Sequence, residues 1–245
     1  MKQSRVAMFD ARSLLPISEL TKPRTPAGLA KWVAETCDAI ASVEEAREPA
    51  LMHYRPFKEF YEEIYPLSLF AKHRYSGRED ILVTPNLDTR HFDAVVRDRS
   101  VSPPLDVMVE ITLARDPQEH LRMEHLVKYR RVSLGSQVIS SGNKRNRETS
   151  VPIEFVEHEF LVARTCSWIK SAAEGKAANP DRYGPSHVLL IAFEDWIKPR
   201  DEDITTLTNF VNTNVLTLPL NFATLYLVGM WGKIYLRFPV LESEG

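Results

Sequence analysis

Asp93 and Glu110 are the residues whose types and spacing point most directly to chemistry. Each lies in a short alternating stretch rich in valine and isoleucine, 91–97 and 106–113, a composition that favours strands. Between them, residues 98–104 (Asp-Arg-Ser-Val-Ser-Pro-Pro) form a turn-type linker, so the pair predicts an antiparallel hairpin. If the hairpin is symmetric about its linker, Asp93 faces Glu110, His91 faces Thr112 and Val95 faces Met108. Because strand side chains alternate, His91, Asp93, Glu110 and Thr112 would share one face, with Phe92, Ala94, Val109 and Ile111 packed into the core. Two carboxylates directly opposite each other sit roughly 5 Å apart and repel, unless one is protonated, water screens both or a cation bridges them. Mg²⁺ (or Mn²⁺), which takes one or two carboxylates together with waters and phosphate oxygens, suits such a pair. The alternative is an exposed sheet face on which both charges are simply solvated.

The surrounding sequence supplies elements to hold that hairpin. Leu29, Trp32, Val33, Cys37 and Ile40 recur at helical spacing over residues 27–47, a run that Pro49 should stop. A second helix, after Pro56, carries Phe57, Phe60, Tyr61 and Ile64 on one face and should break at Pro66. After the hairpin, Asp116-Pro117-Gln118-Glu119 has the form of a helix start, with Asp116 as cap and Glu119 in the reciprocal capping place. Short strands are expected at 136–140 and 151–155, around a polar loop. A buried helix should follow over about 157–173. Residues 188–193 form a continuous apolar run, the signature of a strand covered on both faces. A helix over 201–212 and a hairpin over 223–239, turning at Trp231-Gly232, close the chain. The expected fold is α/β (α+β), a mixed sheet flanked by helices. Residues 1–75 read as a helical N-terminal region of the same domain and 76–245 as the α/β core.

This order of elements, with Phe92-Asp93-Ala94-Val95-Val96 on one strand and Val109-Glu110-Ile111-Thr112 on the next, resembles the PD-(D/E)XK nuclease-like superfamily over residues 55–195. The resemblance implies a restriction-endonuclease-like core with an N-terminal helical extension, in which Asp93 and Glu110 bind Mg²⁺. It also implies a lysine two residues after the glutamate that orients the attacking water. Thr112 stands there instead, and Phe92 stands where the family usually has proline. Variants with a Glu-X-Thr motif place the lysine on a neighbouring helix, and Lys170 and Lys176 are the candidates here. Six residues on a helix separate them by about 240°, so both cannot point inward. Cations near a helix C-terminus are also favoured by its dipole without any catalytic role. Thr112 itself could hydrogen-bond a metal-bound water. Glu59 and Glu63, on the helix before the hairpin, are further candidate ligands, with a solvated face as the alternative.

Lys128, Arg130, Arg131, Lys144, Arg145 and Arg147 gather in a stretch free of acidic residues up to Arg147, which could track phosphates or be a solvated helix end and loop. The expected partner is nucleic acid, DNA ahead of RNA, with a homodimer also open. Overall, 31 Lys and Arg against 33 Asp and Glu leave a net charge of −2, which excludes wholesale neutralisation of a polyanion but not a local basic site. His120 and His125 are wrongly spaced for one helical metal face, and neither His-Glu-X-X-His nor Cys-X-X-Cys occurs, which disfavours zinc. Walker-type, dinucleotide-binding and nucleophile-elbow glycine motifs are absent. No secretory signal, membrane span or disulfide framework is evident, so a cytoplasmic protein with two reduced thiols, Cys37 and Cys166, is expected. The leading expectation is a Mg²⁺-dependent nuclease or phosphodiesterase. The alternatives are a catalytically inactive protein of the same fold that binds nucleic acid or a protein partner, or a structural, oligomeric subunit.

Overall fold

The computed structural model describes residues 9–88, 91–133, 136–142, 148–152, 156–195 and 199–241. In chain order the elements are α1 (Ile17–Leu20), α2 (Pro26–Ala41), α3 (Glu44–Leu51), α4 (Phe57–Glu59), α5 (Tyr65–Arg74), β1 (Ile81–Pro85), β2 (Ala94–Asp98), β3 (Leu105–Ala114), α6 (Glu119–Tyr129), β4 (Ile139–Ser141), β5 (Glu148–Ser150), α7 (His158–Ala177), β6 (His187–Phe193), α8 (Asp201–Phe210), β7 (Thr224–Gly229) and β8 (Tyr235–Pro239). Six strands form one mixed sheet in the order β1-β2-β3-β6-β7-β8, while β4 and β5 form a separate two-stranded ribbon. β3, β6 and β7 are mutually parallel; β1, β2 and β8 run antiparallel to their neighbours. The result is the α+β fold expected, a mixed sheet flanked by helices.

Two apolar layers sandwich the sheet. On one face, Leu29, Val33 and Ile40 of α2 and Leu67, Phe70 and Ala71 of α5 meet Val83, Ala94, Val96, Val109, Ile111, Val188 and Leu190. On the other, Cys166, Ile169 and Ala173 of α7 and Leu207 of α8 meet Leu189, Ile191, Phe193, Leu225 and Leu227. The alternation along β6 explains why its sequence is apolar throughout: successive residues serve opposite layers. Each fully buried Leu, Ile or Phe stabilises by about 1.5–3 kcal/mol relative to exposure. Because α2 and α5 contribute directly to the first layer, the N-terminal helical region shares the core of the sheet.

Several expectations change. α3 begins after α2 ends at Ala41, and it carries Pro49 in its interior. Pro66 breaks nothing: α4 runs through a π-helical turn, Phe60–Ile64, directly into α5, and Pro66 falls in the first turn of α5. Inside this continuous helix Pro66 offers no donor and its ring crowds the preceding turn, and the π-helical turn immediately before it is where the ladder widens to accommodate it. β1 was not anticipated. Asp116 Oδ1 accepts from the Gln118 amide at 2.9 Å, so it caps a turn just ahead of α6, and Glu119 engages Arg122 at 2.5 Å rather than the helix start. Of the expected strand at 151–155, residues 153–155 lie outside the described residues. No helix among the described residues is long and apolar enough to cross a membrane. The closing hairpin turns at Gly232, whose φ of +70° suits glycine.

Candidate functional site

The β2–β3 ladder has the expected register, with Ala94 opposite Val109 and Val95 opposite Met108. Asp93 sits one residue ahead of β2, and its amide donates at 2.8 Å to Val109 O, the carbonyl of the residue that Ala94 pairs with, so the ladder slips by one residue there and the expected Asp93–Glu110 pairing does not form in register. Its Oδ2 accepts from the Ile111 amide at 2.7 Å, which pins the carboxylate beside the neighbouring strand. Glu110 lies mid-β3 and is only 8% exposed. It projects towards the α7 layer, opposite to Val109 and Ile111, which pack with α2 and α5.

Lys176, in the last turn of α7, places Nζ 2.5 Å from Glu110 Oε1. The Tyr183 hydroxyl donates to the same oxygen at 3.2 Å. Tyr183 is itself buried and stacked on Phe222, with ring centroids 4.3 Å apart. Lys170 is not brought to the carboxylates; it lies 3.8 Å from Glu174, one helical turn on. The six-residue separation thus selects Lys176 and turns Lys170 outward.

Electrostatically the pair is strained. The Asp93 carboxyl is pushed up to about 6, first by burial and then by the charge of Glu110, against the opposing Ile111 amide and Lys176. Glu63, in the π turn, is pushed up to about 7, first by burial and then by Asp93 and Glu59. Glu63 therefore belongs to the carboxylate cluster rather than to a solvated face. Glu59 pairs with Arg55 at 2.8 Å, while its Oε2 is buried with no hydrogen-bond partner.

The rim carries further polar groups. Arg182 Nη2 donates to His91 Nδ1 at 2.7 Å, so His91 turns to the loop preceding β6 rather than to Thr112. Thr112 is partly buried within β3. Lys128, Arg130 and Arg131 are exposed at the end of α6, where Arg130 is the left-handed cap, and none is bonded to Asp93 or Glu110. Lys144, Arg145 and Arg147 lie outside the described residues. Phe92 is only partly buried and is not a member of the apolar layers.

Tyr183 is the functional candidate that the sequence did not single out. It lies 73 residues from Glu110, and no spacing rule connects them. Among the described residues, no group of three or more His, Cys, Asp or Glu side chains is disposed to hold a metal ion. The two-carboxylate pair still fits Mg²⁺ or Mn²⁺, hard cations that take few protein oxygens and keep their waters, and a cation between them would relieve the repulsion that lifts Asp93. The donor set does not fit zinc.

A cavity of about 960 Å³ is lined by neither Asp93 nor Glu110. It opens beyond Leu113 and Ala114, at the C-terminal ends of β3, β6 and β7. The raised Asp93 carboxyl beside Glu110 makes this pair, rather than the cavity, the candidate site. No protein-family model, curated protein or solved structure matches the chain.

Proposed function

We propose that this protein is a divalent-metal-dependent phosphodiester hydrolase acting on nucleic acid. The observation that carries the reading is Lys176, which supplies an ammonium 2.5 Å from Glu110 where Thr112 supplies none. Asp93 and Glu110 are the residues that would hold Mg²⁺ or Mn²⁺. When bound, the cation would polarise a phosphoryl oxygen and lower the pKa of a water. The chain's own groups do the remaining work. The Ile111 amide fixes Asp93, Tyr183 fixes Glu110, and Lys176 orients the water and offsets charge developing at the phosphate. Thr112, on the same face as Glu110, offers that water a neutral hydrogen-bond partner.

A second reading, binding of nucleic acid without cleavage, draws on the same contact. Lys176 already neutralises Glu110, so the pair is also a stable structural ion pair. Incubation of the protein with DNA and RNA in Mg²⁺ or Mn²⁺, beside Asp93→Ala and Glu110→Ala, separates the two. Metal-dependent cleavage lost in both variants supports the hydrolase. Salt-sensitive binding with no cleavage supports the second reading, and equal cleavage in all three proteins sinks the assignment to this site.

A further inference from the structure

The large cavity shares β3 and α7 with the carboxylate site. Glu110 and Ala114, which lines the cavity, are four residues apart on the same face of β3, about 13 Å at strand rise, with the partly buried Thr112 between them. On α7, Thr165 lines the cavity and Lys176 is eleven residues on, with Ile169 and Ala173 packed into the core between them. The cavity therefore lies where the face of β3 that carries Glu110 and Thr112 leads. It also lies at the carboxyl ends of three parallel strands, the usual crevice for ligands in α/β sheets.

Its chemistry narrows the occupant. Six carboxylates line it against four lysine and arginine residues, so it disfavours phosphate. Many of these charges are already paired: Arg122 with Asp116 at 2.7 Å, Arg115 with Glu62 at 2.6 Å, and His158 with Asp203 at 2.8 Å. Between them lie flat surfaces. The Arg164 guanidinium stands 4.9 Å from the Trp168 ring. Trp231 is 64% exposed, and its indole N–H donates to Glu194 at 3.0 Å. Apolar walls, two indoles and paired polar groups suit a neutral planar heterocycle.

We propose that this cavity seats an unpaired nucleobase of the strand whose phosphodiester lies at Asp93 and Glu110. The proposal rests on the hydrolase reading and names its substrate class as single-stranded nucleic acid. A separation of about 13 Å spans about four stacked steps of 3.4 Å, so the seated base belongs to a near neighbour of the scissile phosphate. A base held in a duplex cannot reach the cavity without leaving its stack.

The test is fluorescence anisotropy in EDTA, with the full chain and a labelled single strand of about 12 nucleotides, its duplex, and adenosine as competitor. The single strand is expected to bind at least about tenfold tighter than the duplex. Trp168→Ala should weaken single-strand binding by about five- to hundredfold, and Trp168→Phe should restore most of it. If Trp168→Ala fails to fold, Trp231→Ala on the exposed rim carries the test through a smaller loss. Equal affinity for single strand and duplex, or wild-type binding in the foldable variants, overturns the proposal. Displacement by adenosine at an affinity equal to that of the strand also overturns it, in favour of a free-nucleoside pocket. The two readings fail separately. Cleavage lost in Glu110→Gln with no strand preference removes only the cavity assignment, whereas Trp168-dependent strand binding without cleavage in any metal removes only the hydrolase.

Discussion

Lys176 Nζ and Glu110 Oε1 stand 2.5 Å apart across 66 residues of chain, with the Glu110 side chain 10% exposed. A half-buried ammonium on a buried carboxylate is an arrangement in which loss of either partner is costly, because the other is left buried and uncompensated. Lys176→Met should therefore lower stability by about 1–3 kcal/mol in urea melts, whatever the protein's activity. In the hydrolase it should also reduce kcat by about a hundredfold or more, the scale for removing one oriented donor at a developing charge. Lys170→Met, on the exposed side of the same helix, should leave cleavage within about twofold. Equal loss in the two variants would contradict the assignment of Lys176.

Tyr183→Phe isolates the hydroxyl, since phenylalanine keeps the stack on Phe222. Glu110 would retain Lys176 and lose one donor, at a cost of about 1–2 kcal/mol in stability. The steady-state signature expected is a fall in kcat with KM little changed, because the hydroxyl touches Glu110 and not the substrate. A rise in KM alone would place Tyr183 in substrate contact instead.

The slip at Asp93 was not legible, but the sequence disclosed the β2–β3 register from Ala94 onward because it follows from the linker and the alternation, and both were local. It disclosed β6 and the closing hairpin for the same reason. β1 stayed hidden: five residues, Ile81–Pro85, end in proline and give too short a pattern to separate from a loop. The helices read wrongly at Pro49 and Pro66, where tertiary packing and a π turn accommodate residues that ordinarily punctuate. Lys176 could be narrowed to one of two by helical geometry, but the choice depended on how α7 sits over β3. Tyr183 was beyond reach because its contact with Glu110 exists only after β3 and β6 pair in parallel.

Asp195 supplies a stability prediction independent of the site. Its carboxylate accepts from the Trp231 amide at 2.6 Å, the Lys233 amide at 2.8 Å and the Ile234 amide at 3.2 Å, holding the β7–β8 turn. A Cβ added at Gly229 would stand 1.9 Å from Asp195 Oδ2. Gly229→Ala must displace that carboxylate from buried amides, so a loss of more than about 3 kcal/mol is expected in thermal or urea unfolding. A loss below about 1 kcal/mol would mean that the turn holds without Asp195.

The raised carboxyls near Asp93 fix how stability should vary with pH. Glu63 moves from 4.5 to about 7 and Asp93 from 3.8 to about 6, each first through burial. Between about pH 5 and 7 these two groups therefore bind more protons in the folded protein than in the unfolded chain, and their contribution to stability falls as pH rises. The contribution is fully present below the unfolded values and is lost as pH climbs through the folded ones. Its size should be on the order of 1–2 kcal/mol, because partial exposure to water weakens the effect. Thermal melts from pH 5 to 8 should show this decline, and Glu63→Gln should flatten it by removing one of the two titrations. Mn²⁺ at pH 8 should restore stability in the wild type, since a bound cation favours the deprotonated folded form, and Asp93→Asn should abolish that gain. A wild-type curve that rises with pH over this range would show that these carboxyls are not held protonated by the fold.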